Sequence, residues 1–425
     1  MKKIDILIIG SGGREHAIAW KISKSPLAHK IFCAPGNPGI SKIAECINIE
    51  PGDIESLCTF AKERKIGLTI VGPEDPLVNG IVDKFQSNDL KIFGPTKDAA
   101  ELEGSKVFAK NLMRKHGIPT AEYKVFDNYE IAHDYINSVT FPRVIKADGL
   151  AKGKGVFVCK TKTEALDSLK MIMDDKIFGQ AGNKIIIEEF LEGEEVSILS
   201  FTDGKTIVMM DTAQDYKAIY DGNKGPNTGG MGAYSPTSIV TEKLYYEIQK
   251  HVLVPTIHAM KREGRLFKGL LYTGLMISPR EPFVKVLEYN VRFGDPETQP
   301  LMMRMQNDLV SILLATINET LDKIDIQWDP RPAVCVVLAS KGYPGKYEIG
   351  KEINGLNKLE NSDDVHAFHA GTETKNGNIF SKGGRVLNIT SMGSDMEDAR
   401  KKAYEAVEQI HFEGAYWRKD IALFT

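Results

Sequence analysis

The sequence predicts a multidomain α/β and α+β protein with an N-terminal parallel-sheet domain, a central α+β domain and a small C-terminal α+β domain. Three observations carry this. The chain has 425 residues, too many for one ordinary core. In its first hundred residues, short β-rich runs ending in Gly, Pro or an acid alternate with helix-like segments, the pattern of a parallel sheet with crossover helices. After Tyr123 the texture changes to strand–loop–strand units separated by helices.

The totals narrow the function. With 42% hydrophobic and 26% charged residues the chain is a soluble globular protein. A net charge of −3 leaves no electrostatic footprint for nucleic acid or an anionic membrane surface. No stretch approaches the roughly 18 apolar residues of a membrane span. The five cysteines are odd in number and form no CxxC pair, so free thiols in a reducing compartment are expected, not disulfides or a zinc site. "MKKIDILIIGSGG" starts as a signal peptide does, but its short apolar run leads into a glycine turn and reads as a first strand. The expectation is a cytoplasmic monomer whose partners are small molecules, with no nucleic acid and no membrane.

In order along the chain, residues 1–103 form the first expected domain. "IDILIIG", "KIFCAPG", "LTIVGPE" and "KIFGPT" are its strands, and "EHAIAWKISKS" and "IESLCTFAKER" are helices. Ligands of parallel sheets sit at the carboxyl ends of strands, so these Gly-rich ends should open onto one crevice. A helix is expected from about Glu101 to Pro119. The second domain spans 104–326, with a mobile subdomain at about 123–192. It holds the strand–loop–strand "FPRVIKADGLAKGKGVFVCKT", a helix near 163–174, the strand region "IIIEEFLEGEEVSILSF" and the long helix "EKLYYEIQKHVLVPTIHAMKRE". In 327–425, strands from "AVCVVLAS" to "GGRVLNIT" precede the amphipathic helix "MEDARKKAYEAVEQI".

Five motifs carry chemistry. In "IIGSGGREHA", Gly10 and Gly12 begin a dinucleotide fingerprint, but Glu15 replaces its third glycine and the second strand ends without the acid that binds a ribose diol. What remains is a turn whose amides, at a helix N-terminus, suit a phosphate, or one that only packs strand on helix. "VIKADGLAKGKGVFV" presents Lys146 and a loop with Gly149, Gly153 and Gly155 among Lys152 and Lys154. It is a phosphate cradle, though not a P-loop, or a solvated hairpin. The acids of "IIIEEFLEGEE" are surface charges or a hinge for adenine and ribose. In "VLEYNVRFGDPETQ", strict alternation puts Leu287, Tyr289, Val291 and Phe293 on one face and Glu288, Asn290 and Arg292 on the other. A carboxylate and an amide oxygen suit magnesium, and Arg292 suits a phosphoryl or carboxylate charge. The long loop "AQDYKAIYDGNKGPNTGGMGAYSP" offers Asp215, Lys217, Asn227 and Thr228 to a small polar substrate.

"GSGGREHA", "APGNPG", "GPEDPLVNG", "LEGSK", "IKADGLAKGKGV", "GPNTGGMGAYSP", "RFGDPETQ", "FHAGT" and "GGRVL", in this order over nearly the whole chain, resemble the ATP-grasp ligases. Within them the likeness is to the branch that joins glycine to 5-phosphoribosylamine in purine synthesis. The resemblance implies a central ATP-grasp domain that grips ATP between two α+β subdomains. Lys106 and Lys146 would meet the phosphates, with Gly149, Gly153 and Gly155 in the closing loop. Glu188, Glu189 and Leu191 would hold adenine, and Glu195 the ribose. Glu288 and Asn290 would ligate Mg2+ or Mn2+. Arg292, Asp215 and Lys217 would be catalytic. Gly12, Gly13, Glu15, Asn37, Glu74, Asn227, Gly229, Gly230 and Asp295 would contact glycine or phosphoribosylamine. A ligase for another acid or amine, an ATP-binding sensor and a nicotinamide oxidoreductase stand as alternatives at this point.

Overall fold

The computed structural model describes residues 2–151, 154–278, 284–360 and 362–423. Lys152 and Gly153 of the expected phosphate loop lie outside the described residues. Strands β1 (Ile4–Gly10), β2 (Ala28–Pro35), β3 (Glu45–Cys46), β4 (Leu68–Val71) and β5 (Ile92–Phe93) form one sheet in the order β3-β2-β1-β4-β5. All of its pairings are parallel. Ile6, Leu7, Ile8 and Ile9 are all fully buried, which fits an unbroken apolar run covered on both faces. The strand order reverses between β1 and β4, so a crevice opens at their carboxyl ends.

The helix expected from Glu101 to Pro119 is two helices, Lys97–Gly104 and Lys106–His116. Ser105 breaks it because its hydroxyl caps the second helix at Phe108 N–H and also donates to Asp148. Asp148 further accepts from the Val107 amide at 2.8 Å. The break therefore sets Lys106 at the first turn of a helix docked on the glycine-lysine loop.

Strands β6 (Tyr123–Phe126), β7 (Arg143–Ala147), β8 (Val156–Cys159) and β9 (Ile185–Glu189) make an antiparallel sheet in the order β6-β9-β7-β8. Helices Tyr129–Ser138 and Lys162–Leu169 bring Ile136, Ala165 and Leu169 against Phe126, Ile145, Ile185 and Ile187. This subdomain has a core of its own, the physical requirement for moving as a unit.

The chain continues through β10 (Glu194–Thr202), β11 (Ile207–Met209), β12 (Gln214–Asp215), the hairpin β13 (Ala218–Tyr220)–β14 (Lys224–Asn227) and β15 (Gly232–Ser235). The expected long helix runs from Glu242 to Arg262, with a π-helical turn at Gln249–Leu253 just ahead of Pro255, which has no N–H to give. Next come β16 (Gly269–Ile277) and β17 (Val284–Asn290), then β18 (Ala333–Ala339), β19 (Val365–His369), the hairpin β20 (Thr372–Lys375)–β21 (Asn378–Ser381), β22 (Arg385–Met392) and the helix Met396–Val407.

One sheet has the order β11-β10-β16-β17 and another β12-β15-β18-β22-β19. The second crosses the border expected near residue 326, because β15 pairs antiparallel with β18. Helix Thr298–Arg304, fully buried, packs against helix Gly13–Ser23, β18 and β22 and ties the three parts together.

Ile145 is fully buried in the core of the β6–β9 subdomain. Ile145→Ala should cost about 2–5 kcal/mol and appear first as faster proteolysis within 123–192. Equal cleavage of variant and parent would show that this core does not hold the subdomain.

Candidate active site

A cavity of about 400 Å³ lies between the β6–β9 sheet, the β10–β16–β17 sheet, the rim of the N-terminal domain and the start of β22. Its chemistry begins on β17. The register pairs Gly274 with Glu288 but Leu275 with Val286, so Leu287 is an extra residue in a bulge. The bulge corrects strict alternation: Leu287 lines the cavity beside Glu288 and Asn290 instead of joining Val291 and Phe293 in the core. Burial would raise the Glu288 carboxyl, but Lys217, Lys146, Lys106 and Arg292 around it hold it below the usual range. Glu288 is thus ionised at neutral pH.

Asn290 Oδ1 accepts from Arg292 at 3.1 Å. Arg292 lies just past the strand and is gripped by Glu74 at 3.1 Å and Glu103 at 3.2 Å. Glu103 also accepts from the Val291 amide at 2.7 Å. The two acids respond differently to the shared guanidinium. For Glu74, Arg292 and Arg14 outweigh burial and hold the carboxyl down to about 2, whereas burial and the Glu74 charge push Glu103 up to about 7.

In the same cavity, Lys106 Nζ donates to the Gly149 carbonyl at 3.0 Å, and burial together with Lys146 lowers its pKa. Lys146 and Lys110 both close on Glu188, Lys110 at 2.6 Å. Burial, with Lys146 beside it, brings Lys110 down to about 8. The Glu188 side chain, expected at the adenine, is buried among lysines in this structure and neutralises them. Glu189, also in the cavity lining, accepts from Lys285 at 2.6 Å and from the Glu122 amide. Phe190 and Leu191 remain as the apolar lining at this end. Glu195, expected at the ribose, meets Lys217 at 2.7 Å. Burial alone would lower Lys217, yet Asp215 and Glu195 hold it well above its ordinary value, and burial raises Asp215.

Glu74, Gly155, Asn227, Gly229 and Asp295 also line the cavity, and Asp295 pairs with Arg385 at 3.0 Å. Other expected contacts are outside the cavity lining, each for a visible reason. Glu15 turns back so that its Oε2 accepts from the Gly12 N–H at 2.6 Å. This is a capping box, which gives the Gly12 amide a carboxylate partner. A side chain at Gly13 would collide with Asn388 across the interface to β22. Asn37 is spent: its amide donates to the Ser11 and His369 carbonyls, and its oxygen accepts from the Gly39 and Ile40 amides. Gly149 packs on Ala181, and Gly230, at φ +108°, packs on Pro296.

Sequence reasoning passed over Arg14, Glu103, Tyr272, Glu297 and Arg385, all in the lining. All but Tyr272 sit inside motifs quoted above, where buried polar residues in apolar surroundings were the available signal.

The donors fit a hard divalent cation. An ionised carboxylate and an amide oxygen stand together on one wall, and among the described residues no group of three His, Cys, Asp or Glu offers a complete cage. Magnesium or manganese held this way keeps positions for waters and phosphate oxygens.

Three family models cover the chain: the phosphoribosylglycinamide synthetase N domain at residues 4–103, its ATP-grasp (A) domain at 104–298 and its C domain at 333–423. The chain belongs to the phosphoribosylglycinamide synthetase family. It is 50% identical to the phosphoribosylamine–glycine ligase of Rhodopirellula baltica, over 99% of this chain and 98% of that one. It is 48% identical to the same-named ligase of Caldanaerobacter subterraneus, over 98% and 99%. The crystal structure of the Thermotoga maritima phosphoribosylamine–glycine ligase superposes with a TM-score of 0.85 at 35% identity, covering 98% of this chain and 100% of that one. The biotin carboxylase domain of the Hydrogenobacter thermophilus 2-oxoglutarate carboxylase shares the fold at 15% identity, with a TM-score of 0.75, covering 98% of this chain and 92% of that one. In the family's terms the cavity belongs to the ATP-grasp domain, closed by residues of its N and C domains.

Glu103 and Glu297 both stand near 7, raised from 4.5 first by burial. Each therefore keeps in the folded chain a proton that it has lost in the unfolded chain between about pH 4.5 and 7, and its own contribution to stability falls as pH rises through that window. Glu103→Gln removes one of these two contributions and should shift the slope of urea midpoint against pH in the positive direction relative to the parent. A slope equal to the parent's would show that Glu103 titrates normally.

Proposed function

We propose that this chain is an ATP-dependent ligase joining glycine to 5-phosphoribosylamine, with glycinamide ribonucleotide, ADP and phosphate as products, in de novo purine synthesis. One observation carries the reading: Glu288, Asn290 and Arg292 line a single cavity together with Lys106 and Lys146. That combination of cation ligands and positive charges suits a triphosphate and its transferred group.

A carboxylate resists amine attack until one oxygen becomes a good leaving group. Glycine is phosphorylated by ATP to glycyl phosphate, and the amine then displaces phosphate. Lys106 and Lys146 hold ATP phosphates, with Glu188 releasing Lys146 as the nucleotide arrives. Phe190 and Leu191 enclose the adenine, and Glu195 sits beside the ribose. Glu288 and Asn290 hold Mg2+ or Mn2+, which supplies charge neutralisation on the phosphates when bound. Arg292, fixed by its two acids, steadies the charge that develops on the transferred phosphoryl group. Asn227, Gly229, Asp295 and Glu74 form the mouth through which glycine and phosphoribosylamine enter. The nucleophile belongs to the substrate, so no serine, cysteine or histidine nucleophile is required. No helix among the described residues is long and apolar enough to cross a membrane. We place the enzyme in the cytoplasm as a monomer.

Glycinamide ribonucleotide, identified by mass, should form with ADP only when glycine and phosphoribosylamine are both supplied. ADP formation that ignores either substrate would refute the reading. Glu288→Gln should lower kcat on the order of a hundredfold or more at ordinary magnesium, with the fold intact by circular dichroism. Near-normal turnover across a magnesium titration would remove Glu288 from the metal site.

A further inference from the structure

The joining step releases a proton from the amine, and the proposed roles above leave it without an acceptor. The cavity holds a group built for it. Glu297 lines the cavity and is nine-tenths or more buried. Its Oε1 lies 3.2 Å from Ser197 Oγ, and the same hydroxyl lies 3.3 Å from Asp215 Oδ1 and 2.8 Å from Tyr272 OH. Ser197 has one proton to give, so it serves one carboxylate at a time and links the two. A Cβ at Gly294 would come within 2.6 Å of Glu297 Oε2, so the glycine makes room for that carboxylate on the stretch between Arg292 and Asp295. Asp215, Lys217 and Tyr272 face Glu297 from the sheet, and the Arg292 and Arg385 charges act on it from the other walls. Asp215, beside Lys217 at 3.3 Å, keeps a second negative charge close by, which favours a proton on the pair.

We propose that Glu297 is the proton acceptor for the attacking amine, with Ser197 and Asp215 as its proton-sharing partners. The proposal rests on the ligase reading above. In the step, the amine lone pair forms the C–N bond to the glycyl carbonyl carbon. The C–O bond to phosphate breaks, and phosphate leaves with that electron pair. The amine proton goes to the Glu297 carboxylate, and from there to water as the product departs. A group that titrates near neutrality suits this exchange.

Hydroxylamine separates the two half-reactions, because it captures acyl phosphates without needing a base. Glu297→Gln keeps the acceptor for Ser197 but cannot take a proton. With ATP and glycine, it should form glycine hydroxamate within about threefold of the parent. With phosphoribosylamine in place of hydroxylamine, amide formation should be roughly a hundredfold slower or worse. Amide formation close to the parent's rate would overturn the proposal. So would loss of both products with a raised KM for glycine, which would make Glu297 a glycine-binding group. A parent enzyme that yields neither hydroxamate nor amide from glycine would bring down the ligase reading itself. If Glu297→Gln does not fold, Ser197→Ala leaves both carboxylates in place. It should slow amide formation several-fold and move the acidic limb of the kcat/KM profile, which lies near the Glu297 value of about 7. An unmoved limb would count against the shared proton.

Discussion

The guanidinium of Arg292 is the point on which the site is built. Glu74 reaches it from the N-terminal domain and Glu103 from the helix that leads into the central domain, while Arg292 itself follows β17. A buried cation with two acids is costly to assemble unless its partners are fixed beforehand. Helix Lys97–Gly104 fixes Glu103, and the short helix Glu74–Val78 after β4 fixes Glu74. The N-terminal and central domains are thereby joined beside Asn290, whose side chain accepts from the same guanidinium. Unequal sharing follows: Glu74 stays ionised, and Glu103 sits close to its own titration point.

The same economy runs through the cavity. In this structure nearly every charged side chain in it is balanced by another: Glu188 by Lys110 and Lys146, Lys217 by Glu195 and Asp215, Asp295 by Arg385. A polar pocket of this kind stays folded because its charges neutralise one another, and ligand binding exchanges internal pairs for external ones. Lys146 shows this most directly, since the carboxylate that now holds it occupies the position of an anion. Glu15 does the same at the first helix, where its carboxylate caps the amide of Gly12.

Much of the site was legible in the sequence where chemistry and element coincide. Glu288, Asn290 and Arg292 recur every second residue on an apolar run, and the structure brings all three to one cavity. Lys106, Lys146, Asp215, Lys217, Asn227 and Asp295 also arrive there. The expected residues that lie outside the cavity lining have a common feature. Glu15 and Asn37 look like ligand groups because their types are polar and their motifs rich in glycine. Their partners, however, are backbone atoms, and the decisive ones come from a folded turn or from residues hundreds of positions away. Leu287 was misplaced because a bulge shifts the period-two rule by one residue, and an inserted residue has no signature in hydropathy alone.

By itself the sequence determined the local elements and the inventory: parallel strands from buried apolar runs, the break into a new texture after Tyr123, and the polar groups able to handle a triphosphate. Those follow from short-range sterics and hydrophobic periodicity, which any window of the chain carries. Only the tertiary structure decided that β15 joins β18 across the expected domain border, that Glu188 spends its charge on Lys110 and Lys146, and that Glu297 meets Asp215 over one serine hydroxyl. Strand partners and charge partners are chosen by distance in space, and in a chain of 425 residues that distance is set by packing between segments no local pattern connects.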